Sequence, residues 1–287
     1  MREAASLRRN LLRFLLTVGP GAWWLFAFVL LPSVLVLIAS LMSRGSFGQL
    51  APPLGLHNYV RFFTEPLFWE ILGRSLWIGF WATVLTVLLG YPLAFYIAQH
   101  RHKQFLLLLV IIPFFTNFLI RVYAWIVLLQ REGVVNAVIT AFGLPPAELF
   151  PSSFAVYLAT VYTYLPFFVL PLYAAVERIE WNQLEAAYDL GAGPLRGFWE
   201  AIFPQTLPGL LAGFLLTFIP AVGTFVIADL LGGGKVILIG NLIQQQFGAA
   251  QNWAFGAACS MILMGLVLLG LWLYAWSQGE RGLDELV

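Results

Sequence analysis

The sequence predicts an all-α, polytopic membrane protein with six transmembrane helices, and three observations lead there. Of 287 residues, 61% are hydrophobic and 10% charged, where a soluble domain carries roughly 25% charged residues. The charges fall between long runs that contain none, each able to supply the roughly 20 apolar residues that a spanning helix needs. Tryptophans mark the run ends: Trp23 and Trp24 open the first, Trp272 and Trp276 close the last, and Trp69 and Trp253 flank outer-side ends, as membrane–water interfaces favour.

The first span is expected within Phe14–Met42. Arg2, Arg8, Arg9 and Arg13 precede it, which resembles a signal peptide. The apolar stretch is too long for one and has no small-residue cleavage pattern, so it reads as a retained span behind a cytoplasmic segment, 1–19. Spans two to five are expected within Ser75–Gln99, Gln104–Ile120, Leu149–Val176 and Ala201–Ala228. The last run, Val236–Gly279, is long enough for two. Asn241, Gln244, Gln245, Gln246, Gln251 and Asn252 fill its first third, so only Trp253–Trp276 is expected to cross. The loops 43–70 and 130–150 are too short for further domains, and 1–287 is expected to form a single transmembrane domain.

Charge sets the orientation. With a cytoplasmic N-terminus, the inside segments hold Arg2, Arg8, Arg9, Arg13, Arg101, Lys103, Arg178, Arg196 and Arg281, and the outside loops hold Arg44, Arg61, Arg131 and Lys235. The inside excess favours cytoplasmic N- and C-termini. The same scatter of cations, with a formal net charge of +1, excludes a nucleic-acid-binding stripe. The single cysteine, Cys259, lies in the last span and reads as a packing residue.

Residues 178–204 form a polar island between spans four and five. Asn182 followed by Glu185 reads as an N-cap with its capping-box partner, opening a short helix through Leu190. Gly191 supplies a left-handed C-cap, and Pro194 suits the first position of a second short helix running towards Pro204. Ile179, Leu184, Leu190, Leu195, Phe198 and Trp199 offer apolar surface to lay along the membrane face. Taken singly, these residues describe an interfacial loop. Taken together, Glu185, Ala186, Ala187, Asp189, Gly191 and the later Pro204 resemble the signature loop of binding-protein-dependent ABC importer permeases. The family pattern has Ile and Leu where this chain has Ala201 and Phe203, with Ile202 displaced by one residue. The segments Asn117–Leu129, Leu165–Ile179 and Phe225–Gly233 are similar to the spermidine/putrescine permease branch, and the resemblance covers roughly residues 57–276.

That resemblance implies the type I ABC importer permease fold in the bacterial inner membrane. It implies a non-catalytic subunit that binds no cofactor itself. Its partners would be an ABC ATPase dimer holding ATP and Mg, a second homologous permease subunit and an extracytoplasmic solute-binding protein, with the 178–204 loop as the ATPase-docking element. The solute implied is a polyamine, spermidine or putrescine, or else another small solute such as an opine.

The residues themselves agree on what is missing. Gly232, Gly233, Gly234 and Lys235 lack the spacing of a phosphate loop. His100 and His102 share a basic turn and His57 is distant, so no metal-ligand set is expected. An ion-driven carrier would hold more intramembrane ionisable groups than Asp229 and Arg121, and a membrane-embedded enzyme would need a catalytic cluster that the sequence does not offer. For the solute pathway, Asp229, near the outer end of the fifth span, could attract an ammonium group, with Tyr162 and Tyr164 supplying aromatic faces; the alternative is a helix cap beside Gly232–Gly234. Asn241 and Gln244 could line an outer vestibule or belong to an amphipathic external helix. Arg121 reads as a pathway residue, or as an arginine that snorkels or pairs with Glu132. Pro204, Pro208 and Pro220 could let the fifth helix bend or could be local kinks.

Overall fold

The computed structural model describes residues 17–46 and 48–278. Arg2, Arg8, Arg9, Arg13 and Arg281, and most of the segment 1–19, lie outside them. In chain order the elements are α1 (Thr17–Leu41), strands β1 (Ser43–Arg44) and β2 (Leu50–Ala51), α2 (His57–Thr64), α3 (Pro66–Gln99), α4 (Lys103–Phe115), α5 (Phe118–Leu129) and α6 (Val134–Ala141). They continue with α7 (Ser153–Val176), α8 (Trp181–Asp189), α9 (Pro194–Gly223), α10 (Val226–Gly232), α11 (Ile239–Phe247) and α12 (Trp253–Gln278). Among the described residues, six stretches are long and apolar enough to cross a membrane: α1, α3, α5 with α6, α7, α9 and α12.

Three spans differ from their expected bounds, each for a local reason. The second begins at Pro66 rather than Ser75, because Glu70 and Arg74 ride on the exposed side of its first turns. The third expected span, Gln104–Ile120, is not one helix. Pro113 lies in a 3-10 turn, Thr116 is extended, and the Asn117 carboxamide oxygen accepts from the Leu119 N–H at 2.9 Å, which starts a new helix, α5. The fifth begins at Pro194 and ends at Gly223, where Thr224 turns to an extended backbone. Asp229 therefore sits on the separate helix α10.

Two of the spanning helices contain a π turn, and both π turns directly precede a proline. In α1 the Leu31 N–H reaches back to the Phe26 carbonyl before Pro32; in α9 the Phe203 N–H reaches the Phe198 carbonyl before Pro204. A proline removes one helical donor and its ring presses on the carbonyl four residues back. The wider turn relieves that pressure and shifts the register. In α9 the shift leaves Ala201 and Ile202 buried.

The chain divides into two compact units, residues 1–66 with 243–287, and residues 67–242. In the first, α1 packs along α12. The buried Asn58 amide donates to the Ser40 and Met42 carbonyls at 2.9 and 2.8 Å, closing the end of α1. The Arg61 guanidinium, paired with Glu65, lies 4.6 Å from the Phe255 ring centroid, and Cys259 is buried.

In the second unit α7 and α9 pack extensively along one another. Gly209 and Gly213 stand four residues apart on α9, the spacing by which small residues let membrane helices approach. A Cβ at Gly209 would fall 2.5 Å from the Ala175 Cβ and 2.8 Å from the Pro171 carbonyl; one at Gly213 would fall 2.9 Å from both the Phe168 ring and its carbonyl. On the other side of the fully buried Phe168, a Cβ at Gly90 of α3 would come within 2.5 Å of the ring. Around this contact a core of Ala94, Ile97, Val169, Leu172 and Val176 takes in Ile179 and Ile202 from the polar island. A second core, built on Val122, Val156, Ala159, Ile227 and Leu231, fills the other end of α7.

Gly213→Val is expected to lose about 2–3 kcal/mol through overpacking. Reaction of Cys259 with a thiol dye during thermal unfolding in detergent would read this as a lowered midpoint. An unchanged midpoint would mean that α7 and α9 have slack at this crossing.

Candidate functional site

The polar island folds as a helix, a tight turn and a second helix, but its first cap differs from the sequence expectation. Asn182 is not the N-cap of α8. That position falls to Glu180, with an extended backbone and no side-chain cap bond. The Glu180 N–H donates instead to the Gln205 carboxamide oxygen at 2.9 Å, and the Gln205 amide donates to the Ala201 carbonyl at 2.7 Å. Because α8 begins two residues before the expected start, Asn182 and Glu185 lie within it and are free to project from its surface. Both are exposed, and the Glu185 carboxylate has no hydrogen-bond or ion-pair partner among the described residues.

The turn agrees with the expectation at Gly191. α8 ends at Asp189, one residue earlier than expected, with Leu190 as its C-cap. Gly191 adopts φ +83°. Its N–H donates to the Tyr188 carbonyl and the next, of Ala192, to the Ala187 carbonyl, both at 2.9 Å. This pair of bonds is the Schellman closure of a helix end, which requires the left-handed backbone that glycine adopts at least cost. Pro194 then opens α9, and the expected second short helix is continuous with the fifth span rather than separate from it. Gly197 sets how tightly α8 lies on that beginning: a Cβ there would fall 2.8 Å from Leu184 and 3.0 Å from the Tyr188 ring.

The six apolar residues of the island divide. Ile179 is buried, with Leu184 and Phe198 packed against the same core. Leu190 and Leu195 stand at the tip of the turn, 89% and 75% exposed, and Trp199 is exposed too. The tip thus presents two leucines beside the exposed Glu185, Ala186 and Asp189, whereas Ala187 is half-buried. At its base Lys103 and Glu177 form an ion pair; the carboxylate raises the lysine pKa and the ammonium holds the Glu177 pKa below the ordinary glutamate value. Both flank a cleft of about 470 Å³ that Gln99 and Trp181 also line. Gln205 and Gly197 were not singled out from the sequence. The available signals were a polar residue directly after Pro204 and a glycine inside a helical pattern.

The expected pathway residues are not gathered into one site. Asp229 is exposed in the first turn of α10, and no hydrogen bond or ring contact joins it to either tyrosine among the described residues. Tyr162 packs edge-on against Trp125 with ring centroids 5.4 Å apart, and the Tyr164 hydroxyl reaches the Pro220 carbonyl at 3.3 Å. Asn241 is buried: its amide donates to the Phe225 carbonyl at 3.0 Å and its oxygen accepts from the Leu238 N–H at 3.1 Å, so it ties down the segment between α10 and α11. Gln244 is exposed on α11. Arg121 is not paired with Glu132. Its guanidinium lies 5.9 Å from the Phe114 and Phe118 ring centroids beside a cavity of about 320 Å³ that Tyr162 also lines. Among the described residues no group of His, Cys, Asp and Glu could hold a metal ion.

Comparison with known proteins carries the same architecture. The fold matches a bacterial ABC transporter involved in the import of the acidic polysaccharide alginate, with a TM-score of 0.73 at 18% identity over 98% of this chain and 99% of that one. In sequence, the chain is 41% identical over 255 residues to the spermidine/putrescine transport system permease protein PotB of Haemophilus influenzae, covering 88% of this chain and 89% of that one. It is 41% identical to PotB of Escherichia coli, covering 87% and 93%, and 32% identical to the inner membrane ABC transporter permease protein YdcU of the same organism, covering 90% and 87%. The model of one family, described as binding-protein-dependent transport system inner membrane component, matches residues 67–279. With six spans, an ABC-importer fold and that match over most of its length, the chain belongs to this family of multi-pass inner-membrane permeases.

Proposed function

We propose that this permease imports a polyamine, spermidine or putrescine, and is driven through the 178–204 loop by a separate ATPase dimer that holds ATP and Mg. The observation that carries the drive is the exposed tip of that loop, where Leu190 and Leu195 stand out beside unpaired Glu185. Two bare leucines on an exposed turn call for a partner's groove, and a free carboxylate beside them supplies register. Gln205 and the unbroken run of α9 connect the tip to a spanning helix, so motion at the tip reaches the membrane. The polyamine reading follows from relatives 41% identical over almost the whole chain.

The remaining parts follow from the same reading. The loop faces the cytoplasm with both termini, and Lys103 and Arg178 lie on that side. Solute arrives on the opposite side from an extracytoplasmic binding protein, and a second homologous permease completes the passage. ATP binding to the ATPases favours one of two permease states and hydrolysis restores the other, which is how a ligand on one chain moves another. Asp229 is the carboxylate that we assign to the attraction of the polyamine on the outer side; in support, its side chain is exposed and has no partner among the described residues.

Gly191→Pro removes the Gly191 N–H and excludes φ +83°, opening the turn. Uptake of labelled spermidine by cells carrying the complete transporter is expected to fall at least about tenfold, while the chain still reaches the membrane; tenfold corresponds to about 1.4 kcal/mol of coupling. Normal uptake with normal ATPase co-purification would remove the loop from the drive. Gln205→Leu unties the Glu180 N–H without touching the tip, and a loss of about two- to fivefold is expected, given about 1 kcal/mol for a typical hydrogen bond. At limiting spermidine, Asp229→Asn should slow uptake several-fold, and an unchanged rate would take Asp229 out of the pathway. Spermidine uptake in vesicles lacking any ATPase would instead favour an ion-driven carrier.

A further inference from the structure

At the end of α7 opposite the 178–204 loop, the structure builds a cavity of about 580 Å³ whose charged walls are Arg131, Lys235 and Glu148. Neither cation has a hydrogen-bond or ion-pair partner among the described residues, Glu148 included. All three side chains are exposed to solvent. The cavity is held open by backbone rather than by flexible side chains. The buried Asn136 pairs with Ala147 as a strand would, its oxygen accepting from the Ala147 N–H at 2.8 Å and its amide donating to the Ala147 carbonyl at 3.0 Å and the Gln130 carbonyl at 3.2 Å. Gly133 closes the Arg131 turn where any Cβ would fall 2.5 Å from the Leu128 carbonyl. On the facing wall the Ser152 N–H donates to the Leu231 carbonyl at 3.1 Å. Gly233, with φ +56°, leaves no room for a Cβ beside Pro151, and this fixes the turn that carries Lys235. The start of α7, capped by the Ser152 hydroxyl, adds its positive dipole end.

The sign of this cavity decides its occupant. Two cations against one carboxylate repel a polyamine, so it is no station on the proposed solute path. Its volume falls in the range of ligand-sized clefts, about 300–1,000 Å³, and admits a loop tip rather than a single ion. We propose that this cavity is where the extracytoplasmic binding protein docks an acidic loop, its carboxylates meeting Arg131 and Lys235. The inference rests on the orientation and the binding-protein partner assigned above. The charges sit at a solvent-exposed rim, where they act mainly by steering association, with strong dependence on salt.

The test is a titration of the assembled transporter, in nanodiscs of phosphatidylcholine with or without anionic phosphatidylglycerol, with its solute-loaded binding protein, reading ATP hydrolysis. For the wild type, the half-maximal concentration should rise steeply with salt. Arg131→Glu with Lys235→Glu should raise it about tenfold at low salt, flatten the salt dependence and leave the plateau in place. Arg131→Gln with Lys235→Gln, which keeps the side chains near their natural size, should give about threefold and serves if the reversed pair does not assemble. A midpoint and salt slope equal to wild type in these variants would overturn the inference while leaving the proposed function intact. A wild-type transporter that ignores its binding protein would overturn both. A shift seen only with phosphatidylglycerol would assign the cavity to a lipid headgroup and overturn the protein docking.

Discussion

The second unit hangs on one buried ring, Phe168, set between two glycines. Gly90 on α3 and Gly213 on α9 each leave a Cβ-sized space that the ring or its backbone fills, so three spanning helices meet at a single side chain. In a membrane the apolar effect gives helices little reason to prefer one another over lipid, and close backbone approach supplies the attraction instead. The core that forms around Phe168 also takes in Ile179 and Ile202, and through them the polar island inherits its position from a contact well inside the unit. The same arrangement explains why so apolar a chain is specific. Its large side chains are interchangeable as lipid-facing groups, but its glycines are not.

Polar groups complement this packing where helices must stop or bend. Asn117 starts α5, Asn58 ends α1, Asn136 braces the loop after α5, and Asn241 fastens the segment between α10 and α11. Each is an amide satisfying backbone groups that have no helical partner, which lipid leaves unanswered. The π turns before Pro32 and Pro204 solve the same problem by register rather than by side chain.

The number of spans and the place of the polar island were legible in the sequence because both depend on composition over many residues. The Gly191 turn was legible for a different reason: left-handed backbone followed by Pro194 is a strong local signal. What sequence missed was long-range. Asn182 and Glu185 have the spacing of a capping box, but the helix starts two residues earlier, where Gln205, remote in sequence, accepts from the Glu180 N–H. The break at Asn117 was hidden because its flanks are apolar on both sides, so a charge-free run concealed two helices. Asp229 was placed at the end of the fifth span since Ala201–Ala228 carries no charge, whereas the structure turns at Thr224, directly after Gly223. Of the apolar residues expected to lie along the membrane face, Ile179 is buried within the protein while Leu190 and Leu195 stand exposed at the turn. The cavity of Arg131 and Lys235 joins two loops far apart in sequence, and no local pattern marks it.

The π turn at Phe198–Ile202 has a mechanical consequence. From Pro194 to Gly223 the chain is one helix of 30 residues, a lever of roughly 45 Å at 1.5 Å per residue. A tilt of about 5° at one end displaces the other by about 4 Å over that length. The widened turn before Pro204 is a break in the regular α ladder of such a rod, and it lies close to the end at which we propose that force enters. How much of a stroke survives to the far end depends on the stiffness of that joint, which the Gln205 clamp and buried Ile202 set. Under the proposed drive, substitutions there would change the solute moved per ATP without altering what the chain recognises at either face.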